Sequence, residues 1–142
     1  MYKHILIATD GSELAGKAVA AGLALAKRLD ARITVVTAIE PWLSIASSDT
    51  AAAFMQYQKA AEQDAARVQG QISAAAKEQG VQCETIMVTE TAAEAIIETA
   101  NKKQCDLIVM SSHGRRGLAR VLLGSQATRV LTLSSVPVLI CR

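Results

Sequence analysis

The residue types best suited to chemistry gather in one stretch, Ser111-Ser112-His113-Gly114-Arg115-Arg116-Gly117-Leu118-Ala119-Arg120-Val121-Leu122-Leu123-Gly124-Ser125. The run before it, Asp106-Leu-Ile-Val-Met110, reads as a buried strand. The run after it, Gln126–Leu133, reads as a short helix. A strand that passes through small residues and glycines into a helix presents unpaired backbone N–H groups. Those donors and the helix dipole favour an anion such as phosphate. A second loop of similar character, Ala8-Thr9-Asp10-Gly11-Ser12, follows the first apolar run. Ligands of open α/β sheets bind beyond the C-terminal strand ends, where the strand order reverses. If the strands preceding these loops are neighbours, the loops face each other across one crevice. Asp10 then accepts hydrogen bonds from a ribose or holds a Mg²⁺ ion.

Each of these residues also has a plainer reading. Asp10 organises a turn or caps the following helix. Gly114, Gly117 and Gly124 satisfy backbone geometry. Ser125 is a helix N-cap, a phosphate ligand, or both. Arg115 and Arg116 pair with phosphate or, the favoured reading, are simply solvated. His113 has no histidine, cysteine or carboxylate at a spacing that completes a triad or a metal site, so a positioning role outweighs a catalytic one. The sequences GxxxxGK[ST] and GxGxxG are absent. A receiver domain needs an aspartate after the third strand and a lysine after the fifth. The chain has Val88-Thr89 and Cys141-Arg142 there.

These loops need elements to position them. The 142 residues suit one domain, spanning 1–142, and 51% hydrophobic content with 3% aromatics predicts an aliphatic core. So few aromatics disfavour a single-stranded nucleic-acid platform, and a net charge of +2 is too small to imply nucleic acid or membrane. Lys3–Ala8 is too short for a secretory core, and no run approaches the roughly 18 apolar residues of a membrane helix. Cys83, Cys105 and Cys141 are odd in number and widely spaced, which fits reduced thiols in a cytoplasmic protein.

Periodicity predicts strands at Lys3–Thr9, Arg32–Ala38, Val81–Val88, Leu107–Met110 and Val136–Cys141. Helices are expected over 12–29, capped by Ser12, over 51–77, through Ala93–Ala100, and after Ser125. In the long helix, Phe54, Tyr57, Ala61, Ala65, Val68, Ile72 and Ala75 mark the buried face, and Lys59, Glu62, Gln63 and Gln69 the opposite one. Gly80 ends it. Glu40–Thr50, with Pro41 and Trp42, reads as a loop. Alternating strands and helices argue for a parallel sheet covered on both faces. Pro137 cannot donate to a ladder, so the last strand belongs at an edge. An edge that apolar is protected most simply by pairing with a second copy of the chain, a two-fold homodimer through Val136–Cys141.

The residues also carry a resemblance. Ser111 through Gly114, nine residues, and then Gly124-Ser125 resembles the Gly-x-x-Gly, nine residues, Gly-Ser pattern of the universal stress protein family, with Ser111 in place of the first glycine. Lys3–Ser12, Ala24–Leu29, Asp106–Gly117 and Ser135–Ile140 resemble other parts of that family, so the likeness spans the chain. The resemblance implies an α/β fold: a doubly wound, five-stranded parallel sheet in the order 3-2-1-4-5, with four helices on both faces. It further implies a dimer joined through the fifth strand and a cytoplasmic role in stress resistance. In members that bind ATP, the positions matching Gly114, Gly124 and Ser125 meet the phosphates and ribose. Asp10 matches the aspartate of the ribose and metal region, with Ala8 and Thr9 before it. Ala38, Met110 and His113 fall beside the adenine, and Ser111 and Gln126 flank the motif. Thr89-Glu90-Thr91 departs from a glycine that many members carry.

Three readings of function follow. The first is a dimeric stress-response protein that binds ATP, with Mg²⁺ at Asp10. The alternative is a dimeric regulatory protein of the same family that binds no nucleotide. The third is a slow ATPase using His113, ranked last because no base, orienter and nucleophile converge.

Overall fold

The computed structural model describes residues 1–41, 51–115 and 122–142. Trp42, most of the Glu40–Thr50 loop, Arg116 and Gly117 lie outside the described residues. The elements run β1 (His4–Ala8), α1 (Glu13–Leu29), β2 (Arg32–Ala38), α2 (Ala51–Glu78), β3 (Cys83–Val88), α3 (Ala92–Lys102), β4 (Leu107–Ser111), α4 (Ser125–Leu133) and β5 (Val138–Cys141). The sheet order is β3-β2-β1-β4-β5, and every pairing is parallel. The chain winds outward from β1 to β3, then crosses back to place β4 on the other side of β1. The strand order therefore reverses between β1 and β4, so the loops that leave these strands are adjacent.

Alternation along the strands builds two aliphatic cores. Ile5, Ile7, Ile33, Val35, Leu107 and Val109 pack under α1 and α2. Leu6, Ala8, Val36, Ile108 and Met110 pack under α3 and α4. The central strands are buried on both faces, which explains their unbroken apolar runs.

Local signals set most boundaries. Ser12 caps α1, its hydroxyl accepting from the Ala15 N–H at 3.2 Å. Gly80, at φ 72°, reverses the chain after α2, and the Val81 N–H closes on the Ala76 carbonyl at 2.9 Å. That closure belongs to the helix end, so β3 begins at Cys83 rather than Val81. The fifth strand begins at Val138, two residues later than the apolar run suggests. The Pro137 carbonyl accepts from the Ile108 N–H at 2.8 Å, and β5 is an edge strand.

The long helix departs most from expectation. Its buried residues are Ala65, Val68, Gln69, Ile72 and Ala76. Phe54 and Tyr57 are 45% and 40% exposed, because 28 residues span about 42 Å and the sheet supports only the C-terminal part. Gln69, expected on the solvated face, is buried. Its Nε2 donates to the Ile86 carbonyl at 2.8 Å and to Thr37 Oγ1 at 3.2 Å. A buried amide is stable only when so partnered, and both acceptors belong to strands the helix crosses.

At the opposite, N-terminal end of the strands, His4 is buried, with Nε2 2.7 Å from Thr34 Oγ1. Thr34 in turn leans on Glu84, which pairs with Lys103. Burial first, then the Arg32 guanidinium, hold the imidazole below its usual range against the Lys103 backbone, Asp106 and Glu84.

Candidate functional site

The two loops expected to face each other do so, and Asp10 joins them. Its Oδ1 accepts from the Ser12 N–H at 2.9 Å, which organises its own turn. Its Oδ2 accepts from the Arg115 N–H at 2.8 Å, across the crevice. Thr9 is buried. Its N–H donates to the Val36 carbonyl at 3.1 Å, and its hydroxyl accepts from the Gly11 N–H at 3.1 Å. The loop after β1 is thus fixed by its own backbone and side-chain bonds.

The loop after β4 folds on itself. Ser111 is buried, and its hydroxyl donates to the His113 carbonyl at 2.8 Å. The serine that stands for the first motif glycine therefore spends its polar atom on the loop. Ser112 Oγ lies 2.9 Å from His113 Nδ1, a contact that orients the ring. The Ser112 N–H donates to the Cys141 carbonyl, and its own carbonyl accepts from the Gly124 N–H, each at 2.7 Å. That second bond docks the start of α4 onto the end of β4.

Close approach explains two of the glycines. A Cβ on Gly114 would lie 2.9 Å from Asp10 Oδ2. A Cβ on Gly124 would lie 3.0 Å from the Ser112 carbonyl oxygen and 3.4 Å from His113 Cα, both backbone atoms with little room to yield. Gly124, not Ser125, is the N-cap of α4. It brings no capping side chain, so the first-turn N–H groups lack the partner a serine cap would supply. Ser125 is the first helical residue and is exposed.

The remaining positions divide between core and frame. Ala8 and Met110 are buried and Ala38 partly so, all three in the core on the α3 and α4 side. Gln126 is a framing residue: its Oε1 accepts from the Ala93 N–H at 2.9 Å and serves the start of α3, where Thr91 makes no side-chain cap. The sequence shows it only as a residue flanking the motif; its reach across 33 positions leaves no local trace.

One contact was not foreseen. The Arg115 guanidinium bonds Asp64 of α2, Nη2 to Oδ2, at 3.0 Å. Asp64 also holds Arg67 at 2.7 Å. Hydrogen bonds from Arg67 and then Arg115 keep the Asp64 carboxyl below the usual carboxylate range. Among the described residues, no three His, Cys, Asp or Glu side chains gather as a metal site.

The whole of residues 1–142 matches the sequence profile of the universal stress protein family. The chain belongs to that family. Universal stress protein MJ0531 of Methanocaldococcus jannaschii is 33% identical over 144 residues, covering 100% of this chain and 83% of that protein. Universal stress protein UspA from Lactobacillus plantarum shares the fold, with a TM-score of 0.84 at 20% identity, over 99% of this chain and 98% of that one. A universal stress protein solved in complex with cAMP gives a TM-score of 0.75 at 26% identity, over 99% of this chain and 97% of that one. The Asp10–Arg115 crevice is therefore a feature of a universal stress protein whose sheet follows the expected 3-2-1-4-5 order.

Proposed function

We propose that residues 1–142 act as one ATP-binding domain of a dimeric, cytoplasmic stress-response protein. The observation that carries this reading is the pair of loops at the strand-order reversal, tied by Asp10 and closely apposed at Gly114, with Gly124 packed against the Ser112 and His113 backbone of the second loop. The phosphates lie along Gly114, Gly124 and Ser125, where the first turn of α4 offers N–H donors and a favourable dipole. Thr9, His113 and Ser111 hold the surrounding backbone. The adenine rests toward Ala8, Ala38 and Met110. The cAMP complex of a relative supports an adenine nucleotide as the ligand class.

Asp10 suits Mg²⁺ carried in with the nucleotide. Each of its oxygens accepts one N–H and keeps a further acceptor site, and Mg²⁺ commonly binds through one carboxylate, phosphates and water. When bound, the ion neutralises phosphate charge. Asp10 would hold it, while Arg115 N–H and Ser12 N–H keep the carboxylate oriented. The homodimer forms through the outer strand β5, whose Leu139 is 41% exposed.

A melting scan with and without Mg-ATP tests the ligand. Ligand at about 100 times its Kd adds roughly 2.7 kcal/mol, a rise of about 5–10 °C for a chain of this size. No shift at millimolar Mg-ATP refutes the reading.

A further inference from the structure

Arg115 has its backbone in one place and its side chain in another. Its N–H is fixed to Asp10 beside Gly114, inside the crevice, at 2.8 Å. Its guanidinium instead lies over Gly11, close enough that a Cβ there would meet Nη2 at 2.8 Å, and ends on Asp64 of α2. The side chain is half exposed and Asp64 is 39% exposed, so the pair is a weak, solvated one. Asp64 divides its carboxylate between Arg115 and Arg67. An arginine fork binds phosphate oxygens in the same bidentate manner as a carboxylate. A polyphosphate in the crevice therefore competes directly with Asp64 for this guanidinium.

We propose that Asp64 stores the Arg115 side chain against α2, and that Arg115 moves to the outer phosphates of a bound nucleotide, so that affinity depends on phosphate-chain length. This rests on the nucleotide reading above. A nucleoside triphosphate presents charge within reach of a side chain anchored beside Gly114. A monophosphate, held at the α4 N-terminus, leaves Arg115 on Asp64. Arg67 tunes the exchange by sharing the carboxylate.

Calorimetric titration of ATP, ADP and AMP at one ionic strength tests this on the 142-residue chain and three variants. Asp64→Asn removes the competitor and raises ATP affinity by roughly two- to five-fold, the range of an exposed ion pair, with AMP unchanged. Arg67→Gln leaves Asp64 wholly to Arg115 and lowers ATP affinity. Arg115→Gln narrows the ATP-to-AMP ratio. A role confined to holding α2 in place would move all three nucleotides alike. If the unaltered chain binds ATP and Asp64→Asn leaves it unchanged, or shifts ATP and AMP equally, the exchange is overturned and nucleotide binding stands. If only Asp64→Asn binds ATP, the exchange is upheld in its strongest form, with Asp64 holding the site closed. If no form binds any nucleotide, both ideas fall.

Discussion

Two glycines of α1 meet opposite surroundings and allow a clean test of how this helix is seated. Gly16 is exposed, and a Cβ built there has nothing within 4 Å. Gly22 is buried, and a Cβ there would lie 2.5 Å from Ile7 Cδ1 and 2.8 Å from Ile7 Cγ1. Both substitutions to alanine gain helix propensity of about 0.8–1 kcal/mol. Only Gly22→Ala adds an overlap. Ordinary carbon contacts lie at about 3.5–4.0 Å, so the shortfall exceeds about 1 Å. Ile7 has no exposed surface and sits mid-strand in β1, so it cannot turn aside into solvent. Overpacking of this kind costs about 1–3 kcal/mol. Gly22→Ala should therefore be less stable than Gly16→Ala by about 2 kcal/mol, because propensity cancels in the difference.

Urea unfolding followed by circular dichroism, at fixed protein concentration, measures both. The double variant isolates the cause. Ile7→Val alone costs about 0.5–1.5 kcal/mol. It deletes the Cδ1 that the new methyl strikes, so the pair should cost less than the sum by about 1 kcal/mol. If Gly22→Ala stabilises as much as Gly16→Ala, α1 does not ride this closely on β1.

Two further outcomes are expected. Because His4 is held below its unfolded value of 6.5, the unfolded chain takes up a proton that the native chain refuses as pH drops through that value. Stability from this site is thus full above about pH 6.5 and declines below it. His4→Gln should flatten the stability slope between pH 7.5 and 5.5, and an unchanged slope would assign the acid loss to other groups. Leu139→Lys on the outer strand should convert a dimer to monomer in sizing chromatography; a persistent dimer would place the interface elsewhere.

Much of the architecture was legible because its causes are local. Val-, Ile- and Leu-rich runs bounded by Gly11-Ser12 and Gly80 mark strands and helices without reference to the rest of the chain. Pro137 even indicated which strand is outermost. The close contact between Asp10 and the Gly114–Arg115 backbone was legible because small and acidic residues after strands are informative by position. What escaped detection depends on distant partners. Gln69 looked solvated because its residue type is polar, and only the crossing of β2 and β3 gives it acceptors. Gln126 reaches back to α3, and Arg115 reaches 51 residues to Asp64. Phe54 and Tyr57 followed the periodicity of the buried face, but periodicity carries no information on where the supporting sheet ends.

Gln69 gives the long helix a key that fits one slot. Sliding α2 by a turn, about 5.4 Å, would bring Ala65 or Ser73 over the Thr37 hydroxyl and the Ile86 carbonyl. Neither could span both acceptors with two N–H bonds from one amide. Aliphatic packing alone tolerates such slippage far better, since one alanine or valine replaces another with small loss. The two hydrogen bonds thus index the helix along its axis. Asp64, five residues upstream, inherits that setting and meets Arg115 at a fixed station.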